Sequence, residues 1–185
     1  MDRLWAGWRS AYVAGAGEAG EAGGRAVAAG AAAGAAAGAA GRGSLFRQIL
    51  ESGLPDEVTH IAWRGELTFA ILNAYPYTTG HLLVMPYRQV GELEDVTGDE
   101  QAELWSTVRN AVVALKRAYR PHGINVGANL GEAAGAGVPS HVHLHVLPRW
   151  NADSNFMTSV AEVRVLPEPL DASWRKLRDA WPTAG

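Results

Sequence analysis

Three histidines stand at alternate positions in Ser140-His141-Val142-His143-Leu144-His145-Val146-Leu147-Pro148-Arg149. In an extended strand successive side chains alternate faces, so His141, His143 and His145 share one face, and Val142, Leu144 and Val146 take the other. A glycine-rich loop, Gly131-Glu132-Ala133-Ala134-Gly135-Ala136-Gly137, runs just ahead. Three readings suit such a row. In a structural one, each ring is hydrogen-bonded on a half-exposed sheet face. In a metal site, neutral imidazoles two residues apart share an ion. That site needs a third ligand, yet no Asp or Glu falls between Ala133 and Asn151, which leaves distant residues such as His81. In covalent catalysis at phosphorus, an imidazole nitrogen attacks a phosphate, and the phosphoramidate passes to water or another acceptor. Such a nucleophile is neutral, with its other ring nitrogen donating to a fixed acceptor. The central His143 suits this best, flanked by two histidines that orient it and shuttle protons. The glycine loop, Gly137 included, would aim backbone N–H groups at the phosphate oxygens. The lack of close carboxylates avoids repelling an anionic substrate.

The elements that position this row follow from apolar periodicity. Leu45, Phe46, Ile49 and Leu50 suit one face of a short helix that Gly53 and Pro55 end. Residues 58–63 and 67–72 read as strands of a hairpin joined by Arg64-Gly65-Glu66. A Pro- and Gly-containing loop over 73–80 leads into a buried strand over 81–86. The spacing predicts the longest helix over 99–119, with Leu104, Val108, Val112, Leu115 and Tyr119 as its apolar stripe. Acidic Asp99 and Glu100 lie at its positive end, and Pro121 and Gly123 stop it. Two further strands, 124–129 and 141–147, flank the glycine loop. A short apolar piece at 163–166 and a helix over 171–181 complete the chain. This is an α+β fold with a mainly antiparallel sheet of about five strands, one long helix and one short one. Without βαβ alternation, a Rossmann fold is disfavoured, and the loop lacks the Walker lysine and the GxGxxG spacing.

Residues 1–13 form an N-terminal arm with Trp5, Trp8 and Tyr12 on one helical face, which needs a surface of this domain or of a partner subunit to lie on. Residues 14–43 collapse to Ala and Gly; with nothing bulky to bury, they read as a flexible linker. Residues 44–150 form the main domain and 151–185 a C-terminal extension. The 185 residues carry 16 basic and 19 acidic side chains, a net charge of −3, and this gives no support for a nucleic-acid or anionic-membrane surface. Cysteine is absent, so there is no disulfide, thiolate metal site or cysteine nucleophile. No stretch has the about 20 strongly apolar residues of a membrane span, and the N-terminus does not read as a signal peptide. The expected compartment is the cytoplasm.

The row resembles the histidine triad family of nucleotide hydrolases and transferases, whose signature His-φ-His-φ-His-φ-φ is met by His141-Val142-His143-Leu144-His145-Val146-Leu147. Residues 73–81, followed by Leu82-Leu83-Val84-Met85-Pro86, look like the family's upstream segment, in which an Asp or Asn precedes a Gly-His pair. Asn129-Leu130-Gly131 looks like the amide-bearing segment before the glycine loop. The resemblance covers residues 44–150 and implies a HIT-like fold. It implies that His143 is the nucleophile that becomes adenylylated. His141 and His145 would hydrogen-bond around it and handle protons, with His81 backing His145. Asn73 would hold the ribose hydroxyls, Ile71 and Leu72 would wall the purine pocket, and Asn129 would contact the phosphate or bridging oxygen.

Two departures stand out. Many relatives begin with a Cys-x-x-Cys pair that helps bind structural zinc; Ser44-Leu45-Phe46-Arg47 stands there instead, so no structural zinc is expected. Val138 falls where some relatives carry a phosphate-contacting Ser, for which Ser140 or Thr79 would compensate. The N-terminal Arg3, Trp5, Arg9 and Tyr12, and the stretch over 148–157, look like a bacterial branch that includes diadenosine tetraphosphate phosphorylases. The resemblance therefore implies a dinucleoside polyphosphate substrate, cleaved by phosphorolysis or hydrolysis, with no required cofactor and a divalent metal accompanying the substrate. It implies a homodimer or higher oligomer joined through the long helix and the sheet edge. A purine nucleoside phosphoramidase is the alternative enzyme. A nucleotide-binding or interaction protein with little turnover is the alternative of another class.

Overall fold

The computed structural model describes residues 43–153 and 168–183. The expected aromatic arm, all but the last residue of the Ala/Gly-rich stretch and the apolar piece at 163–166 lie outside them.

Helix α1 (Leu45–Glu51) starts at Ser44, whose hydroxyl accepts from the Arg47 backbone N–H and so satisfies one open donor of the first turn. It buries Leu45 and Phe46. Helix α2 (Asp56–Thr59) follows Pro55, carries Asp56 and Glu57 in its first turn and ends at His60, a left-handed residue with φ 58°. This corrects the expected strand from residue 58: strand β1 (Ile61–Arg64) begins three residues later. Pro55 and the two carboxylates favour a helix start. Val58 is exposed, so its apolar character marks no core position.

β1 and β2 (Thr68–Leu72) form the expected hairpin, closed by the Gly65 N–H on the Thr68 carbonyl at 2.9 Å. β3 (Leu82–Pro86), β4 (Gly123–Ala128) and β5 (Leu144–Arg149) complete a five-stranded sheet in the order β1-β2-β3-β5-β4, with every pair antiparallel. The fold is α+β. Helix α3 (Gly98–Tyr119) has a full capping box between Thr97 and Glu100. Arg88 grips the same Glu100 at 2.7 Å, and this bond, aided by Thr97, holds the carboxyl down at about 2.

The sheet buries both faces with different residues. On one, Ala70, Leu72, Leu82, Val84, Leu144 and Val146 meet Leu104, Val108, Ala111 and Leu115 of α3. The last helix, α4 (Leu170–Ala180), adds Leu177 to that core, and Trp181 stacks on Trp63 at 5.9 Å. On the other face Phe46, Ile61, Phe69, Ile71, Leu83 and Met85 pack together. β2 thus sends Phe69 and Ile71 one way and Ala70 and Leu72 the other, as strand alternation requires. Among the described residues no helix is long and apolar enough to cross a membrane.

Strand β5 is shorter at its start than the histidine spacing suggests. Its first rungs pair Leu144 with Val84 of β3 and with Ala128 of β4. His141 and His143 lie before those rungs, where the Val142 N–H bonds the Val90 carbonyl instead, at 2.7 Å.

Candidate active site

The histidine row is buried: His141 has no exposed surface, and His143 and His145 have very little. The three rings, with His81 added, are fixed by hydrogen bonds whose directions can be read from groups that only donate or only accept. The His143 Nδ1 lies 2.8 Å from the backbone carbonyl of His141. A carbonyl only accepts, so Nδ1 carries the proton and the neutral ring's Nε2 is bare. That is the tautomer an attacking imidazole needs.

His141 is held at both ends. Its Nε2 donates to the Pro86 carbonyl at 2.9 Å, and its Nδ1 faces the Ser44 hydroxyl at 2.7 Å. The expectation that the His141 ring shuttles protons is therefore corrected: both ring nitrogens are occupied away from His143, and the contribution of His141 is its backbone carbonyl. Burial pushes the His141 imidazole below its usual range against the opposing bond to Pro86, with the neighbouring His143 lowering it further. Burial likewise lowers His143, opposed by its bond to His141. Both rings are neutral at pH 7.

His145, on β5, meets His81 at the entrance to β3. The Tyr77 backbone N–H reaches the His81 Nδ1 at 3.1 Å, and the Asn73 amide Nδ2 lies 3.2 Å from the same atom. His81 then holds its proton on Nε2 and passes it toward the His145 Nδ1, 2.8 Å away. His145 consequently keeps its own proton on Nε2. Its ring lies 5.1 Å from that of His143. The result is a bare nitrogen on His143 beside a proton-bearing one on His145, an arrangement that can pair an attacking imidazole with a proton donor.

The surrounding residues divide clearly. Asn73 sits beside His81, with its Oδ1 accepting from the Tyr75 N–H at 3.0 Å. Ile71 lies on the histidine side of the sheet with Phe46 and Leu83. Leu72 does not: it is buried in the core beneath α3, so it cannot wall a pocket on the opposite face. Asn129 ties its amide to the Gly135 carbonyl at 3.3 Å and so holds the glycine loop. Within that loop the N–H groups of Gly135 and Ala136 bond Glu132 and Gly131, which takes these two out of the expected cradle. Gly137 is half-buried and Ser140 exposed. Gly91 packs on the backbone of 139–140, where a Cβ would come within 3.2 Å of the Pro139 carbonyl.

Three contributors escaped the sequence reading. The Phe46 ring stands edge-on to both His141 and His143, 5.5 Å from each. Tyr77 lies against His81 at 4.6 Å and His145 at 5.6 Å. In the sequence Ser44 stands only as the residue in a cysteine's place. Its position just before an apolar-faced helix signals an N-cap, but nothing local signals a partner at residue 141.

The HIT domain model matches residues 56–152. The chain is 47% identical over 128 residues to the AP-4-A phosphorylase of Mycobacterium tuberculosis, covering 69% of this chain and 66% of that protein. It is 36% identical over 95 residues to the asymmetrical bis(5'-nucleosyl)-tetraphosphatase of Schizosaccharomyces pombe, covering 51% of this chain and 52% of that one. The match therefore spans half to just under two thirds of these curated relatives. Among solved structures, the zinc-bound histidine triad family protein of Mycobacterium smegmatis superposes with a TM-score of 0.60 at 30% identity, covering 74% of this chain and 91% of that one.

The residues at the place of the family's Cys-x-x-Cys pair do not suit a structural zinc. Ser44 offers a hydroxyl in place of a thiolate, and that hydroxyl is bonded to His141. Arg47 is a cation whose guanidinium pairs with Glu51 at 2.5 Å. Among the described residues no three His, Cys, Asp or Glu side chains are grouped to hold a metal ion.

Proposed function

Because the chain belongs to the HIT-domain family, we propose that it is a nucleotidyl-transferring enzyme that cleaves dinucleoside polyphosphates through His143. The observation that carries this reading is the bond from the His143 Nδ1–H to the His141 carbonyl, which leaves Nε2 with its lone pair at neutral pH. That nitrogen attacks the phosphorus nearest one adenosine. A P–N bond forms, and the P–O bond to the rest of the polyphosphate breaks. The departing oxygen takes the proton from the His145 Nε2, and the 2.8 Å bond from the His81 Nε2–H to the His145 Nδ1 offsets the charge left on that ring until the acceptor returns the proton. An acceptor then attacks the adenylyl-histidine from the same side, returns a proton to His145 and frees His143. Phosphate as acceptor yields ADP; water yields AMP.

Asn73 would hold the ribose, from its place beside His81. Ile71 would line the base pocket. Asn129, Gly137 and Ser140 would meet the polyphosphate through the loop that Asn129 braces. The enzyme needs no cofactor and no structural zinc in this reading, and a divalent cation would travel with the polyphosphate to offset its charge. We place it in the cytoplasm. It works as a homodimer or higher oligomer, supported by β4, which ends the sheet with Val126 exposed.

Product analysis on diadenosine tetraphosphate, with phosphate varied, tests the function. The relationship to the M. tuberculosis phosphorylase favours ADP and ATP as products when phosphate is present. AMP and ATP at every phosphate concentration would make the enzyme a hydrolase. Turnover of an adenosine phosphoramidate alone would make it a phosphoramidase.

A further inference from the structure

We propose that Ser44 is a positioning residue for His143, acting through His141. The proposal rests on the reading of His143 as the nucleophile. Ser44 is nearly fully buried and precedes His141 by 97 residues, yet the two side chains meet at 2.7 Å. The proton direction follows from the ends of the chain of bonds. The Arg47 backbone N–H only donates, so at 3.2 Å it points at the Ser44 oxygen. The Pro86 carbonyl only accepts, so neutral His141 has its proton on Nε2 and a lone pair on Nδ1. The Ser44 hydroxyl proton therefore goes to His141.

His141 is thus pinned through its ring by Ser44 and Pro86, and through its backbone N–H by the Val138 carbonyl at 3.2 Å. Its own carbonyl is the acceptor that sets the His143 tautomer. Ser44 is itself anchored from the other side, its N–H reaching the Gln89 side-chain oxygen at 2.6 Å. Phe46 of the same helix leans on both histidine rings. The start of α1 is in this way a bracket on the nucleophile, with the Ser44 hydroxyl as its polar contact. Without that hydroxyl the buried Nδ1 of His141 lacks a donor. The ring turns or takes up a proton to find one, and the carbonyl facing His143 moves with it.

The test uses the full chain with Ser44→Gly, because glycine is nearly as good an N-cap as serine and so spares the helix while removing the donor. We expect kcat on diadenosine tetraphosphate to fall by about ten- to a hundredfold, with KM changed by no more than about twofold. Ser44→Thr, which keeps the hydroxyl, should recover most of the rate. Nitrogen-15 spectra of the imidazoles supply a readout that lost stability alone would not move. In the wild type the His143 signal is that of the Nδ1–H tautomer; in Ser44→Gly it becomes a mixture. Should Ser44→Gly not fold, Ser44→Cys, with a weakly donating thiol of similar size, carries the same expectations. A wild-type kcat together with an unchanged His143 tautomer would overturn the proposal. Should His143→Ala still turn over substrate, the nucleophile reading falls, and the tautomer comparison still decides whether Ser44 governs His143.

Discussion

His81 Nε2 and His145 Nδ1 lie 2.8 Å apart, and the proton between them belongs to His81. The backbone N–H of Tyr77 settles this by occupying the His81 Nδ1 from the other side. A residue 64 positions upstream of His145 thereby dictates which of its nitrogens is protonated.

Replacing His81 should consequently damage the step in which the leaving group is protonated. His81→Ala is expected to lower kcat/KM on diadenosine tetraphosphate by about 10²-fold, the low end of what general acid catalysis contributes. An AMP ester of p-nitrophenol, whose leaving group needs no proton, should lose far less. Equal losses on the two substrates would mean that His81 serves the fold and not the proton path.

The two faces of β2 make separable predictions. Leu72→Ala opens a cavity in the core under α3 and should cost about 2–5 kcal/mol in chemical denaturation. Its KM, measured well below the unfolding temperature, should match the wild type. Ile71→Ala, on the histidine face, should raise KM for the nucleotide. An elevated KM for Leu72→Ala with little loss of stability would return Leu72 to the pocket.

Burial lowers both His141 and His143 from the ordinary 6.5. The unfolded chain therefore binds protons that the folded one refuses. The stability tied to these neutral rings is complete above pH 6.5 and is lost as pH falls through their lowered values. Thermal unfolding from pH 8 to pH 5 should show the melting temperature dropping on the acid side, less steeply in His143→Asn. The acid limb of kcat/KM should likewise lie below the usual histidine range, since His143 stays neutral there. A limb at or above 6.5 would contradict a buried, neutral nucleophile.

Much of this arrangement was legible in the chain. Helix α3 stood out because its apolar residues recur at helical spacing over many turns, and the histidine row because its period is that of a strand. The α+β class followed from the order of such segments. What local pattern could not supply was anything set by distant contacts. The resemblance implies that Ile71 and Leu72 both wall the pocket, yet strand alternation sends such neighbours to opposite faces. Val58 looks like a strand residue because its exposure is invisible in sequence. The place of His141 beside His143 and the family resemblance both imply a proton role for its ring; only the positions of Ser44 and Pro86 reveal that both its nitrogens are engaged. The glycine loop offered amides in sequence, but its own turn consumes two of them.

The central claim is the bond between the His143 Nε2 and phosphorus. Mixing enzyme with diadenosine tetraphosphate in phosphate-free buffer, quenching in alkali within the first turnovers and mapping peptides by mass spectrometry tests it directly. An adenylyl group on His143, stable to alkali, labile to acid and discharged as ADP when phosphate is added before the quench, is the expected result. Continued cleavage by His143→Ala, or an adenylyl group found on a different residue, would contradict it.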